Sequence, residues 1–364
     1  MNVAELAVAV YRIPTDRPEA DGTIAWEETT LVLVEASTAS GHHGLGFAYA
    51  DAAAAAIVRQ TLAPAIIGLP VWAIGRAWEM MVNRVRNMGR PGVAAGAISA
   101  VDIALWDLKA HVFECPLMQI LPMHRDHVPI YGSGGFTTYS EAELAEQLGG
   151  WVAQGIQRVK MKLAKGWGTA LAEDVQRVRV AREAIGPTAE LFVDANGGYT
   201  AKQAIRQAAR FAEYGVTYFE EPVSSDQLEQ LAFVRQQTPL AVAAGEYGYD
   251  PWYFRRMLRA EAVDILQADA TRCLGFTGWL TAADLAYGFD IPFSAHTAPS
   301  LHAHIGCAAP QLAHIEYFHD HVRIEKLLFD GVLEPIKGCL YPDPMRPGLG
   351  LTLKRQDAEQ WRVG

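Results

Sequence analysis

From residue 128 onward the chain alternates short apolar runs with amphipathic stretches, and this rhythm constrains its fold more than any other feature. The runs are 129–135, 156–163, 190–196, 216–222, 240–246, 263–269, 291–296 and 312–318. Between them, segments with helical periodicity cover 141–153, 169–185, 200–214, 225–237, 250–260 and 276–288. Repeated strand–helix units pair as a parallel sheet joined by right-handed crossovers. Eight of them within about 190 residues suit a closed barrel better than an open sheet.

The first 125 residues have a different rhythm. Strands at 6–13, 29–35 and 44–49 come first, and helices at 51–66, 70–87 and 92–113 follow. That order predicts a separate α+β module. Trp72, Trp78, Trp106 and the methionines are expected to pack in the core. After residue 325 the pattern fades into a tail rich in proline and glycine. The expected division is therefore 1–125, 126–325 and 326–364.

Composition narrows the function. Half of the 364 residues are hydrophobic and 20% are charged, which excludes a disordered or fibrous chain. Acidic residues outnumber basic ones 41 to 31, for a net charge of −10. Such a surface repels phosphate backbones and anionic lipid, so no nucleic-acid or membrane partner is expected. No apolar run reaches the roughly 18 residues of a spanning helix, and the first residues lack the basic stretch of a secretory signal. Cys115, Cys273, Cys307 and Cys339 are scattered without CxxC spacing, which indicates neither zinc nor a disulfide framework. The expectation is a cytoplasmic homo-oligomer acting on a small molecule.

In a barrel of this kind the active residues sit at the C-terminal ends of the strands. Ionisable residues gather there. Asp194, Glu220 and Glu246 stand 26 and 26 residues apart, one on each of three consecutive strands. Neighbouring strand ends lie roughly 5 Å apart, so three carboxylates would repel unless a cation sat between them. Hard oxygen ligands suit Mg²⁺. Only one of Glu220 and Glu221 can point into the barrel mouth, and alternation alone does not choose. Lys160 and Lys162 share a strand face, so each lowers the other's pKa, and a dication lowers it further, as a base near neutral pH requires. Asp269 and His296 end adjacent strands, where the carboxylate can fix the imidazole tautomer. Asn196, in the turn after Asp194, is placed to reach the site. His302 and His304 point apart on a helix and are not a ligand pair. His42, His43, His319 and His321 are expected on the surface, and 132–135 reads as a bend at the barrel rim.

The pieces KMK (160–162), VDAN (193–196), FEEP (219–222), GE (245–246), QADATRCLGFTGW (267–279), FSAH (293–296) and HIEYF (314–318) together resemble the enolase superfamily. Within it the mandelate racemase subgroup is the match, over essentially the whole chain. The resemblance implies an α/β fold, a modified TIM barrel of (β/α)7β type under an α+β capping domain, with 326–364 returning to the cap. It implies that Glu220 joins Asp194 and Glu246 as an Mg²⁺ ligand. Lys162 and His296 would be the two acid/base groups, with Asp269 orienting His296. Glu316 would hydrogen-bond the substrate carboxylate. Cycloisomerase and dipeptide-epimerase subgroups place a second lysine at the sixth strand. Asp269 stands in that region, which argues against them.

The implied chemistry is abstraction of the proton α to a carboxylate, with the enediolate stabilised by Mg²⁺ and Glu316. Reprotonation from the opposite base gives racemisation or epimerisation of a 2-hydroxy acid. Protonation of a β-hydroxyl expels water and gives a 2-keto-3-deoxy acid. Segment 15–28 resembles the family's capping loop. It carries Thr15, Asp16, Asp21, Thr23, Glu27 and Glu28 against only Ile24 and Trp26 as large apolar groups, with Thr23 and Trp26 read as substrate contacts. A polar lid suits a polyhydroxylated acid sugar, so a sugar-acid dehydratase is expected. A catalytically silent metal-binding barrel would have no use for Lys162 and His296 together, and a metal-dependent aldolase or hydrolase would not need opposed bases.

Overall fold

Three antiparallel strands, β1 (Val3–Ala20), β2 (Ala25–Thr38) and β3 (His43–Tyr49), open a computed structural model that describes residues 1–364. β1 and β2 are longer than their apolar patterns predict, so segment 15–28 is the tip of a β-hairpin. The register slips between Pro14 and Glu19 and resumes at Glu19 opposite Trp26. Pro14 and Pro18 are tolerated because β1 is an edge strand. The stretch predicted as one helix over 51–66 breaks into an α turn, a π-helical turn over Val58–Leu62 and a final α turn. Pro64 explains the break, since it offers no N–H to the preceding turn.

Helix α1 (Ile74–Arg84) starts later than its pattern suggests, and Trp72 lies before it, 56% exposed. The expectation that Trp72 packs in the core is therefore wrong, as it is for the exposed Met88, Met123 and Met345. Trp78 and Trp106 tie the cap to the barrel. Their indole N–H groups donate to the Leu274 carbonyl at 2.9 Å and to Thr277 Oγ1 at 3.0 Å. Helix α2 (Val93–Val112) is buried along most of its length because β3 approaches it closely. A Cβ on Gly44 would lie 2.2 Å from Leu108 N, and one on Gly46 2.3 Å from Ala104 N. Only glycine fits there.

The eight predicted barrel strands all form. They are β4 (Val128–Gly134), β5 (Arg158–Lys162), β6 (Glu190–Asp194), β7 (Val216–Glu220), β8 (Ala241–Ala244), β9 (Ile265–Ala268), β10 (Phe293–Ala295) and β11 (Leu312–Phe318). Each pairs in parallel with the next, and β11 pairs back with β4, closing the barrel. The first outer helices have sequence-coded starts. α3 (Glu141–Ala153) carries a capping box between Ser140 and Glu143. After α4 (Leu171–Ile185), α5 (Ala201–Ala212) carries one between Thr200 and Gln203. α6 (Leu228–Gln237) follows, and Asp250 caps α7 (Pro251–Arg259), which leads to α8 (Gly275–Gly288). α9 (Pro299–Gly306) escapes the periodicity reading because all eight of its residues are buried, leaving no polar stripe. α10 (His319–Leu328) follows β11. The chain end runs back to β1, where Val10 N donates to the Gly364 carbonyl and Val363 N to the Val10 carbonyl. No helix is long and apolar enough to cross a membrane.

Candidate active site

Alternation turns every second strand residue into the barrel, and the register sets those residues in rows. Phe192 and Tyr218 stand opposite each other, and with Tyr131 and Ala243 they form a buried plug. Two positions further along, Lys162, Asp194 and Glu220 form the next row. Asp194, Glu220 and Glu246 are all buried, and each offers an oxygen within 4.8 Å of the others. The register also separates the two adjacent glutamates. Glu221 takes a left-handed φ of 37° and lines a neighbouring cleft with Ser225 and Asp226.

The trio fits a hard divalent cation. Glu220 Oε1 and Glu246 Oε2 are buried and accept no hydrogen bond, an arrangement that costs free energy unless a cation or proton compensates it. Burial pushes Glu220 well above the usual carboxylate range despite Lys160. At Glu246 burial acts in the same direction, but His296 and Arg272 outweigh it and hold the group at about 2.

The two lysines occupy different places. Lys160 is fully buried beneath the trio, with Nζ 2.7 Å from Glu220 Oε2, 2.8 Å from Glu316 Oε1 and 3.5 Å from Asp194 Oδ2. It does not line the cavity above, so it is placed as a counter-charge to the carboxylates. Lys162 does line the cavity, with Nζ 2.5 Å from Asp194 Oδ2. The expected lowering of its pKa is not found among these side chains. Burial lowers it, but Asp194 leads the carboxylates that outweigh both burial and Lys160 and hold the ammonium above its usual range. A cation sharing the Asp194 charge acts in the opposite direction.

His296 follows β10, three strands from β5 in one direction and five in the other. Its Nδ1 lies 2.8 Å from Asp269 Oδ2, and its Nε2 lies 3.2 Å from Glu246 Oε2 and 3.8 Å from Glu316 Oε2. Burial opposes ionisation of Asp269, but the hydrogen bond and charge of His296 hold it below the usual range. Glu316 is held low in the same way, by Lys160 and then His296 against burial. Its Oε2 accepts from Thr297 N at 3.0 Å.

Above these groups lies a cavity of about 420 Å³, roofed by the β1–β2 hairpin. Asn196 lines it with a left-handed φ of 44°, its N–H on Asp194 Oδ1 at 2.8 Å and its Oδ1 unpartnered. Trp26 lines it too, held by a 2.8 Å bond from Nε1 to Glu19 Oε2 and set edge-on to Phe136. Thr23 does not. Its N–H and hydroxyl both donate to Asp21 Oδ1, closing the hairpin turn, so the expected substrate contact is a turn-forming residue instead.

Several lining residues were missed by sequence reasoning, Arg272 and His321 among them. Arg272 sets Nη1 3.4 Å from Glu246 Oε1 and Nε 3.6 Å from Asp269 Oδ2. Its position three residues after Asp269 was the available signal. His321, expected on the surface, is buried with its ring stacked 3.4 Å from that of Tyr49. Burial, with His296 nearby, holds it well below the usual imidazole range. No local pattern announces a contact between cap and barrel. His302 and His304 do part company on α9. His302 Nε2 accepts from Ala270 N, and His304 Nε2 meets the Leu349 carbonyl.

Comparison with known proteins finds relatives along nearly the whole chain. The N-terminal domain model of mandelate racemase / muconate lactonizing enzyme matches residues 5–122, and the enolase C-terminal domain-like model matches 143–358. The chain is 30% identical to D-galactarolactone cycloisomerase of Agrobacterium fabrum, over 96% of this chain and 95% of that one. It is 28% identical to arabinonate dehydratase of Saccharolobus solfataricus, over 91% and 90%. A mandelate racemase/muconate lactonizing enzyme-like protein from Rubrobacter xylanophilus superposes with a TM-score of 0.96 at 50% identity over the whole of both chains. L-talarate/galactarate dehydratase from Salmonella typhimurium, liganded with Mg and L-lyxarohydroxamate, superposes at 0.91 and 26%, covering 100% of this chain and 93% of that one.

Proposed function

Because the chain belongs to the mandelate racemase / muconate lactonizing enzyme family of the enolase superfamily, we propose that it is a Mg²⁺-dependent sugar-acid dehydratase, forming a 2-keto-3-deoxy acid. The observation that carries this reading is the placement of Lys162 and His296 on opposite sides of a buried carboxylate trio, under a polar roof. Asp194, Glu220 and Glu246 would hold Mg²⁺, which when bound supplies positive charge against the developing enediolate.

The residues divide the remaining work. Lys162 takes the α-proton at Nζ as the neutral amine, the form favoured when a cation shares the charge of Asp194. Asp269 is ionised and can only accept, so Nδ1 of His296 carries its proton and Nε2 faces the cavity. In its imidazolium form His296 carries a second proton on Nε2, which it gives to the β-hydroxyl as the C–O bond breaks and water leaves. Lys160 balances the trio from below and holds Glu316. Donation from Glu316 to a substrate carboxylate requires it to take up a proton, which an anion beside it favours. Asn196 and Trp26 contact the sugar chain.

The cycloisomerase relative supports a second reading. The same proton abstraction, with a ring oxygen on the β-carbon as leaving group, opens a cyclic acid sugar into an isomer. The argument against cycloisomerases from Asp269 at the sixth strand therefore does not stand, since a relative of that name is 30% identical over nearly the whole chain. One panel of reactions decides. Four- to six-carbon aldonic and aldaric acids, with Mg²⁺, should give keto acids, and EDTA should suppress them. Exchange of the α-proton with a change of configuration and no keto acid would make the enzyme an epimerase. An isomer formed only from a cyclic substrate would make it a cycloisomerase.

A further inference from the structure

The floor and the roof of the cavity carry different charges. Lys162, Arg272 and His296 stand at the floor beside Glu246. The roof is made by the β1–β2 hairpin and the end of β3, and its charged residues are Asp21, Glu28 and Asp51, without a lysine or arginine among them. These carboxylates are held in place. Asp21 is 7% exposed, with Oδ1 accepting from Thr23 N, Thr23 Oγ1 and Ile24 N. Asp51 Oδ1 accepts from Ala53 N at 2.8 Å at the start of a helical turn. Only Glu28 has a cationic partner, Arg12 at 3.2 Å, and both side chains are about half exposed, so that pair neutralises little. The other polar roof groups are neutral. They include Tyr49, whose buried hydroxyl has no partner, and Thr30.

On the footing of the acid-sugar reading above, we propose that the substrate is a monocarboxylate. Its single carboxylate is anchored at the floor, its uncharged hydroxylated end lies under the roof, and Asp21, Glu28 and Asp51 reject diacids. A second carboxylate at the distal end would stand among three anions with no cation but the half-exposed Arg12, in a partly enclosed space where water screens poorly. A hydroxyl there can donate to the same carboxylates and accept from Tyr49. Discrimination thus rests on a repulsive element as much as on attraction.

Binding tests this separately from turnover. Lys162→Ala protein loaded with Mg²⁺ is titrated calorimetrically with six-carbon aldonates and with the aldarates that match them at every shared centre. His296→Asn is used instead if the first variant does not take up Mg²⁺. The best aldonate should bind at least tenfold more tightly than its matched aldarate, and the preference should shrink as salt is raised. Adding Glu28→Gln and Asp51→Asn should cut the preference at least threefold, since asparagine still caps the turn. An aldarate that binds as tightly as its aldonate, or a preference unmoved by the neutral variants, would overturn the proposal. Absence of binding by every acid sugar would overturn the acid-sugar reading itself, and the proposal with it.

Discussion

His296 Nδ1 and Asp269 Oδ2, 2.8 Å apart, join the ends of two adjacent barrel strands, and their bond decides which imidazole nitrogen can exchange a proton. Asp269 Oδ1 is in turn fixed by Thr271 N at 2.7 Å, so the carboxylate cannot rotate away. Asp269→Asn should leave the fold intact and allow the opposite tautomer. We expect kcat to fall by about 10²–10⁴-fold, with the melting temperature nearly unchanged. A rate close to that of the parent would remove the tautomer argument.

The carboxylate trio predicts a difference between two adjacent residues. Glu220→Gln should weaken Mg²⁺ binding more than about 100-fold, above the loss typical of a merely supporting contact. Glu221→Gln should cost far less, because its side chain leaves the row. Calorimetric Mg²⁺ titration of both variants measures this, and equal losses would refute the assignment by register.

Lys162→Ala and His296→Asn should each lower turnover by about 10³-fold or more. One of the two should still exchange the α-proton in deuterated water, using the surviving base, when followed by proton NMR. If neither exchanges and both keep activity, the bases lie elsewhere.

Glu325 predicts a pH dependence of stability away from the reaction. It is buried against Ser300, whose hydroxyl donates to Oε2 at 2.6 Å, while Oε1 has no partner. Burial pushes its pKa up to about 8, against the hydrogen bonds from Ser300. The folded state therefore keeps a proton that the unfolded chain releases near the ordinary value of about 4.3. Its contribution to stability is full below that value and is lost as pH rises through about 8. Glu325→Gln should remove this slope. Its melting temperature relative to the parent should climb between pH 5 and pH 9, and a constant difference would contradict the burial argument.

Gly44→Ala tests the packing of cap strand on cap helix. The added methyl would meet Leu108 N at 2.2 Å, a backbone atom that cannot move aside. A loss of about 3 kcal/mol, the upper part of the range for overpacking, is expected in chemical unfolding. Gly75→Ala, whose Cβ meets nothing within 4 Å, should be neutral or stabilising.

The sequence by itself determined the barrel and which ionisable groups gather at its mouth. Strand and helix periods are local properties of residue order, so all eight strands could be counted before any contact was known. The acids of the trio could be placed for the same reason, since each ends a strand and strand ends meet in a barrel. Tertiary structure alone decided which side chains act together. Register separated Glu220 from Glu221 and set Lys160 below the floor while Lys162 reached the cavity. Closure of the hairpin turned Thr23 inward to Asp21, and packing of cap on barrel laid Tyr49 against His321. Even the direction of the Lys162 shift came from the fold, because Asp194 lies closer to it than its neighbour in sequence could suggest. These are contacts between residues far apart in the chain, and no periodicity of one segment encodes what another segment will bring beside it.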